Sequence, residues 1–266
     1  MWKAMQDVIV FGRDLRMNFV AEYFYNLGFD VYETLDACSA HACIITAPSL
    51  SYEEEQALSG IRNQDVVLYY GLLSNECLQT LKAHDIRCFC YLKQEKMVSE
   101  NAILTAKGIV KTAAKADAVL YESHCLVLGY GHCGCAIAKA LKNSGANVDV
   151  MVRRKDLKSS IEAEGFGFLN LLQQERYCYE KYSYVFNTIP ALVLTKELLA
   201  RMPHSIMIFD IASKPGGTDF SYCRQHEIRA DLYLGLPGKL YPREAGEIIA
   251  SCVYEQLPAT EPLTQE

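Results

Sequence analysis

The sequence predicts an α/β protein made of two open parallel-sheet domains, the second a Rossmann dinucleotide-binding domain, with a C-terminal helix packing back on the first. Three observations predict it. Short apolar runs alternate with helical patterns along most of the chain, as in parallel sheets covered on both faces. A Gly129-x-Gly131-x-x-Gly134 turn lies between one such run and one such helical pattern. Half of the 266 residues are apolar, enough for one large domain or two modest ones, and glycine spacing and element order favour two.

The first domain begins with the run Val8 to Phe11, closed by Gly12, and a helical pattern through Phe19, Ala21, Phe24 and Leu27 that Gly28 ends. Further strands are expected at Phe29 to Tyr32, Ala42 to Thr46, Val66 to Tyr70 and Arg87 to Cys90, with a helix from Asn75 to Ala83. A joining helix is expected from Ser99, as N-cap, to Lys115. The second domain repeats the alternation, with strands at Cys125 to Leu128, Val148 to Val152, Tyr184 to Asn187, Ile206 to Ile211 and Leu232 to Leu234. A last helix, Glu244 to Gln256, carries Ala245, Ile248, Ile249, Cys252 and Val253 on one face. The expected division is 1–97 with 241–257 as a flavodoxin-like domain, 98–240 as the Rossmann domain, and 258–266 as a polar, disordered tail.

Composition excludes several functions. The net charge of −6, with no block of lysine or arginine, argues against nucleic acid. No apolar run reaches the ~18 residues of a membrane span, and no signal peptide is read at the N-terminus. Eleven cysteines occur without any Cys-x-x-Cys pair, so neither a metal site nor a disulfide framework is expected. They read as small apolar residues in a reducing cytoplasm.

The glycine turn carries the first functional expectation. Gly129 permits the tight turn, Gly131 lets a pyrophosphate approach the backbone, and Gly134 lets helix and strand pack closely. The anion then meets the amides of the helix start, where His132 and Cys133 lie. The following strand ends at Val152 without the acidic residue that bonds the ribose of NAD, and Asp149 sits mid-strand. Arg153 and Arg154 follow instead, and guanidinium groups suit a 2′-phosphate, so NADP is expected ahead of NAD.

Three consecutive strand ends add polar loops: Asn187-Thr188-Ile189-Pro190, then Asp210 through Ser213, Lys214, Gly216, Gly217, Thr218 and Asp219, then Gly235 to Lys239 with Arg243 beyond. Ligands of open α/β sheets collect at strand carboxyl ends. Asn187, Thr188, Pro190 and Asp210 are expected near the cofactor. Ser213, Lys214 and Asp219 are read as catalytic, Asp219 with Asp210 as candidate bases. Gly216, Gly217, Thr218, Lys239 and Arg243 are expected to meet a substrate, the cations suiting carboxylates.

The segments "NTIP", "DIASKPGGTDF", "GLPGKLYPREAGEII" and "SGANVDVMVRR", with the glycine turn, resemble the A subunits of dipicolinate synthase from spore-forming bacteria. The resemblance is strong from Cys125 to Val253 and looser before, through Gly12 to Arg16, "ITAPSL", "YYGLLSN" and "VSENAILTAKG". It implies a two-subunit oxidoreductase that converts dihydrodipicolinate to dipicolinate with NADP in the mother cell of a sporulating bacterium. In that enzyme the A subunit supplies the nucleotide-binding fold, and the B subunit resembles flavoproteins. The chain departs from the family pattern at His132, where arginine is expected, and at Glu244, where threonine is expected. Broader similarity runs to S-adenosylhomocysteine hydrolase and D-2-hydroxyacid dehydrogenases. Another dehydrogenase of that design, or a nucleotide-binding partner of a flavoprotein without chemistry of its own, are the alternatives. Homo-oligomerisation is left open.

Overall fold

A computed structural model describes residues 7–37, 41–62, 65–116 and 118–257. The chain divides into two compact units, Met1–Asn101 with Pro237–Glu266, and Ala102–Leu236. The expected tail at 258–266 lies outside the described residues.

The first unit holds a five-stranded parallel sheet of β1 (Asp7–Phe11), β2 (Asp30–Tyr32), β3 (Cys43–Thr46), β4 (Val67–Tyr70) and β5 (Arg87–Cys90), in the order β2-β1-β3-β4-β5. That is the flavodoxin-like order, whose direction reverses between β1 and β3. Strand periodicity sends alternate residues to opposite faces. Val8, Val10, Cys43, Ile45, Val67 and Tyr69 bury one face, and Ile9, Ile44 and Leu68 bury the other. Helix α1 (Leu15–Asn26) covers the first face, while Leu58 of α2 (Tyr52–Ser59) and Cys77 and Leu81 of α3 (Asn75–Ala83) cover the second. Asp14 caps α1 by accepting the Arg16 amide, and Gly28, at φ +87°, ends it as the glycine pattern requires. The 21-residue helix α4 (Glu95–Lys115) contains the division between the units.

The second unit contains β6 (His124–Leu128), α5 (His132–Asn143), β7 (Asn147–Val152), α6 (Lys158–Ala163), β8 (Gly167–Asn170), β9 (Tyr184–Asn187), α7 (Lys196–Leu199), β10 (Met207–Asp210), α8 (Phe220–Gln225) and β11 (Arg229–Leu232). All its strands are parallel, in the order β11-β10-β9-β6-β7-β8, the Rossmann order. Leu126, Leu128, Met151, Val185 and Ile208 form one buried layer with Leu194, Leu198 and Met202. Phe186 and Phe209 stack at 5.0 Å within the sheet.

After α9 (Leu236–Leu240), α10 (Pro242–Tyr254) returns to the first unit and packs on α1. Gly246 makes the crossing close: a Cβ there would stand 2.5 Å from the Arg16 carbonyl oxygen and 2.8 Å from Phe19 Cβ. Ile249 and Val253 are fully buried at this crossing, each worth ~1.5–3 kcal/mol of apolar burial. The expected fold class, with its returning helix, is therefore observed.

Several element boundaries are corrected. Helix α4 begins at Glu95, where the Val98 amide donates to Gln94 O, so Ser99 is inside the helix and its hydroxyl donates to Lys96 O rather than capping. The last strand is Arg229–Leu232, earlier than Leu232 to Leu234, because a polar edge strand shows no apolar run. Helices α2, α6, α7, α8 and α9 and strand β8 have no counterpart among the elements predicted from sequence.

Candidate functional site

The turn after β6 is shaped by its backbone alone. Gly129 takes φ +95°, which admits glycine readily, and its amide donates to Met151 O at 3.0 Å. Gly134 is buried with its α-carbon against the Gly129 carbonyl, so no side chain fits there. Gly131 differs: it is the N-cap of α5 at ordinary φ −80°, and a Cβ on it would meet open space. No side chain caps this 12-residue helix, and its first amides have no partner inside it. An uncapped, solvent-facing helix start behind a glycine turn fits a diphosphate. Tyr130, which the sequence reading passed over, is half-buried beside the turn with its ring edge-on to Phe166, and burial raises its hydroxyl pKa. Nothing marks that residue in a GxGxxG pattern. The Cys133 thiol is also pushed up by burial.

The strand order places β9 beside β6, so the Asn187–Pro190 loop adjoins the turn. The Thr188 amide and hydroxyl both donate to Leu128 O, at 2.9 and 2.8 Å. This bond seats Thr188 directly against Gly129 and explains why that position carries no side chain.

The neighbouring β10 loop is organised by Asp210, which is fully buried. Its Oδ1 accepts from Asn187 Nδ2 and the Ala212 amide, both at 3.0 Å. Its Oδ2 accepts from the Gly217 amide at 2.8 Å and Thr218 Oγ1 at 2.7 Å. Asn187, also fully buried, completes a local ring with Ile189, donating to its carbonyl and accepting from its amide. A Cβ on Gly217 would stand 2.5 Å from Asn187 Nδ2, so the glycine permits the interlock. These contacts correct the sequence expectation. Asn187 and Asp210 have their hydrogen-bonding groups taken by protein partners, and buried Gly216, Gly217 and Thr218 build the loop rather than face a substrate.

Other expected residues stay outside. Pro190, Ser213 and Lys214 are exposed at the tips of these same two loops. Asp219 is the N-cap of α8: Oδ1 accepts the Tyr222 amide at 2.9 Å, and Oδ2 has no hydrogen-bond partner among the described residues. His132 is the exposed first residue of α5. Arg153 and Arg154 follow β7 as placed, both exposed, and Arg154 pairs with Asp156 at 2.5 Å. In the first unit, Lys239 on α9 is exposed. Arg243 is a correction: its guanidinium pairs with Glu22 at 3.1 Å and Glu247 at 3.7 Å and lies over the Phe19 ring, which makes it a helix-packing cation rather than an open anchor. No group of three or more metal-ligating side chains occurs among the described residues, and none of their helices is long and apolar enough to cross a membrane.

The Rossmann strand order, the glycine turn and the preceding flavodoxin-like sheet define the two-unit fold of NAD(P)-dependent dehydrogenases. D-Lactate dehydrogenase from Escherichia coli shares it with a TM-score of 0.64 at 12% identity, over 94% of this chain and 95% of that one. In sequence the chain is similar to the dipicolinate synthase A subunits. It is 32% identical to the one from Bacillus subtilis over 193 residues, 72% of this chain. The match spans 64% of that relative's length, a little under two thirds. The crystal structure of the Bacillus halodurans counterpart matches with a TM-score of 0.84 at 25% identity, covering 97% of this chain and all of that one. No protein-family model matches the chain. The resemblance carried by the motifs thus holds in sequence and in fold.

Proposed function

We propose that the chain is the NADP-binding component of a dipicolinate-forming oxidoreductase, oxidising a dihydrodipicolinate-like dicarboxylate in concert with a B subunit of flavoprotein type. The observation that carries this reading is the uncapped start of α5 with open space at Gly131, set in a chain similar to the dipicolinate synthase A subunits. When bound, the oxidised nicotinamide supplies a hydride acceptor.

The chain's own residues then divide the work. Gly129, Gly131 and Gly134 shape the turn, and the backbone at His132 and Cys133 presents amides to the diphosphate. Arg153 would hold the adenosine 2′-phosphate, and Arg154, paired with Asp156, would be less free to do so. The Asn187–Asp210 interlock fixes two loops whose exposed tips, Pro190 and Ser213-Lys214, would face the reactants. Oxidation removes one ring C–H as hydride and one ring proton, which passes to Asp219 Oδ2. Aromatisation provides the driving force, so orientation and exclusion of water are the protein's main contributions. The setting is the cytoplasm of the mother cell during sporulation.

Purified chain, its B subunit, dihydrodipicolinate and NADP+ should generate pyridine dicarboxylate absorbance together with reduced cofactor. Asp219→Asn should abolish turnover and leave NADP+ affinity within about twofold. If nucleotide binds with full occupancy while the dihydropyridine stays unoxidised with and without the B subunit, the proposal is wrong.

A further inference from the structure

We infer that Arg16, in the first unit, is a carboxylate anchor whose guanidinium is aimed by Asp14 and given its space by Gly238. The inference rests on the reading above only in taking the substrate to be a carboxylic acid.

Sequence alone makes Asp14 and Arg16 a solvated pair two residues apart at a helix start. In the structure they are mostly buried, with 24% and 17% of their side chains exposed. The contact is a two-point fork: Nε donates to Asp14 Oδ1 at 2.8 Å and Nη2 to Oδ2 at 2.7 Å. The same Oδ1 accepts the Arg16 amide at 2.9 Å, so the carboxylate is held while it holds. The guanidinium beside it keeps the Asp14 carboxyl below its usual range. A Cβ on Gly238 would stand 2.8 Å from Arg16 Cζ, 2.9 Å from Nε and 3.2 Å from Nη2, so the glycine lies against the part of the guanidinium that Asp14 holds. Gly238 has no positive φ, and α9 itself tolerates alanine there, so the glycine is explained by the guanidinium. The backbone of Arg16 is closed in by Gly246 of α10.

This arrangement leaves donors over. Both N–H groups of Nη1 and the outer one of Nη2 have no hydrogen-bond partner among the described residues. Gln174 Oε1 is the buried side-chain polar atom without a partner among those residues, so Nη1 of Arg16 reaches solvent. An arginine placed for packing normally has its donors satisfied. Here one edge of the fork is fixed and the other is presented open, an end-on geometry that matches a second carboxylate. The location agrees: Arg16 follows the carboxyl end of β1, next to β3, where the order of the first sheet reverses and such sheets bind ligands. Because Asp14 already neutralises the charge, the anchor selects by hydrogen-bond geometry more than by field.

The test measures binding of pyridine-2,6-dicarboxylate, pyridine-2-carboxylate and lactate to the full chain by calorimetry, with and without NADP+. The variants are Arg16→Gln, Arg16→Lys and Gly238→Ala. The expected result is a loss of ~10–100-fold for the preferred acid in Arg16→Gln. Arg16→Lys should lose nearly as much, since an ammonium lacks the fork, and Gly238→Ala should lose severalfold with its charge intact. NADP+ affinity should stay within about twofold throughout. If Arg16→Gln does not fold, Arg16→Lys and Gly238→Ala decide alone. Should lactate bind through Arg16 while pyridine dicarboxylate does not, the anchor stands and the dipicolinate reading falls. Equal affinity for pyridine dicarboxylate in all folded variants overturns the anchor and leaves that reading intact. Failure of the wild-type chain to bind any of these acids also overturns the anchor.

Discussion

Asn187 and Asp210, at the carboxyl ends of adjacent strands, are joined side chain to side chain at 3.0 Å, with neither exposed to solvent. Their bond ties the loop after β9 to the loop after β10, and Asp210 accepts from three more donors within its own loop. Removing that carboxylate leaves buried N–H and O–H groups unsatisfied. Asp210→Ala should therefore destabilise the chain by ~3–5 kcal/mol, read from denaturant unfolding. Asp210→Asn should lose less, since one oxygen still accepts. If Asp210→Ala unfolds at the wild-type midpoint, the interlock does not hold the loops.

The glycines of the turn separate folding from binding. Gly131→Ala puts a methyl group into open space at a φ that alanine adopts, so thermal stability should change little. The same methyl stands where a diphosphate must approach, and NADP+ affinity should fall by about tenfold or more. Gly134→Ala, facing the Gly129 carbonyl, should instead lower stability itself. Calorimetric titration beside thermal unfolding distinguishes the two, and identical behaviour of both variants would contradict this division.

Arg153 and Arg154 are neighbours with unequal freedom. Arg154 pairs with Asp156, whereas Arg153 has no ion-pair partner among the described residues. Arg153→Ala should weaken NADP+ by ~10-fold and leave NAD+ unchanged. Arg154→Ala should have the smaller effect, and Asp156→Asn should tighten NADP+ by freeing its partner. A ratio of NADP+ to NAD+ affinity that none of the three variants moves would remove the 2′-phosphate from these residues.

Where apolar period and punctuation agree, the sequence was legible: Asn75–Ala83, between Ser74 as cap and a turn at His84, and the strand Arg87–Cys90 after it fall as read. Helix α2 was not legible although Ser51 and Glu54 form a full capping box, because Leu58 is its one buried residue and no apolar stripe shows. Strand β8 is short and starts with Gly167, and only its pairing with β7 makes it a strand. In the loops after β9 and β10, sequence could not tell inward-facing residues from outward-facing ones. Polar residues in a strand-end loop look alike until burial is known, and burial turned Asp210, Asn187 and Thr218 inward while leaving Ser213 and Lys214 outside. Arg16, named from sequence only as the end of the Gly12-to-Arg16 stretch, was given no role because its cover comes from Gly238, far along the chain.

The thiols give the chain a pH dependence on the alkaline side. Burial pushes Cys88, Cys125, Cys223 and Cys252 up from 9.0 to about 11. A raised folded pKa means that the folded state keeps a proton the unfolded state gives up. Their contribution is thus complete below pH 9 and is lost as pH rises through 9 toward 11. Under reducing conditions the urea midpoint should stay level across neutral pH and drop over that interval. Cys125→Ala should shallow the drop, since Cys125 is fully buried in β6. A thiol reagent at pH 7.5 should label the exposed Cys178 well before any of these four. Rapid labelling of Cys125 in the folded chain would show that the sheet opens there, and would refute the burial on which this dependence rests.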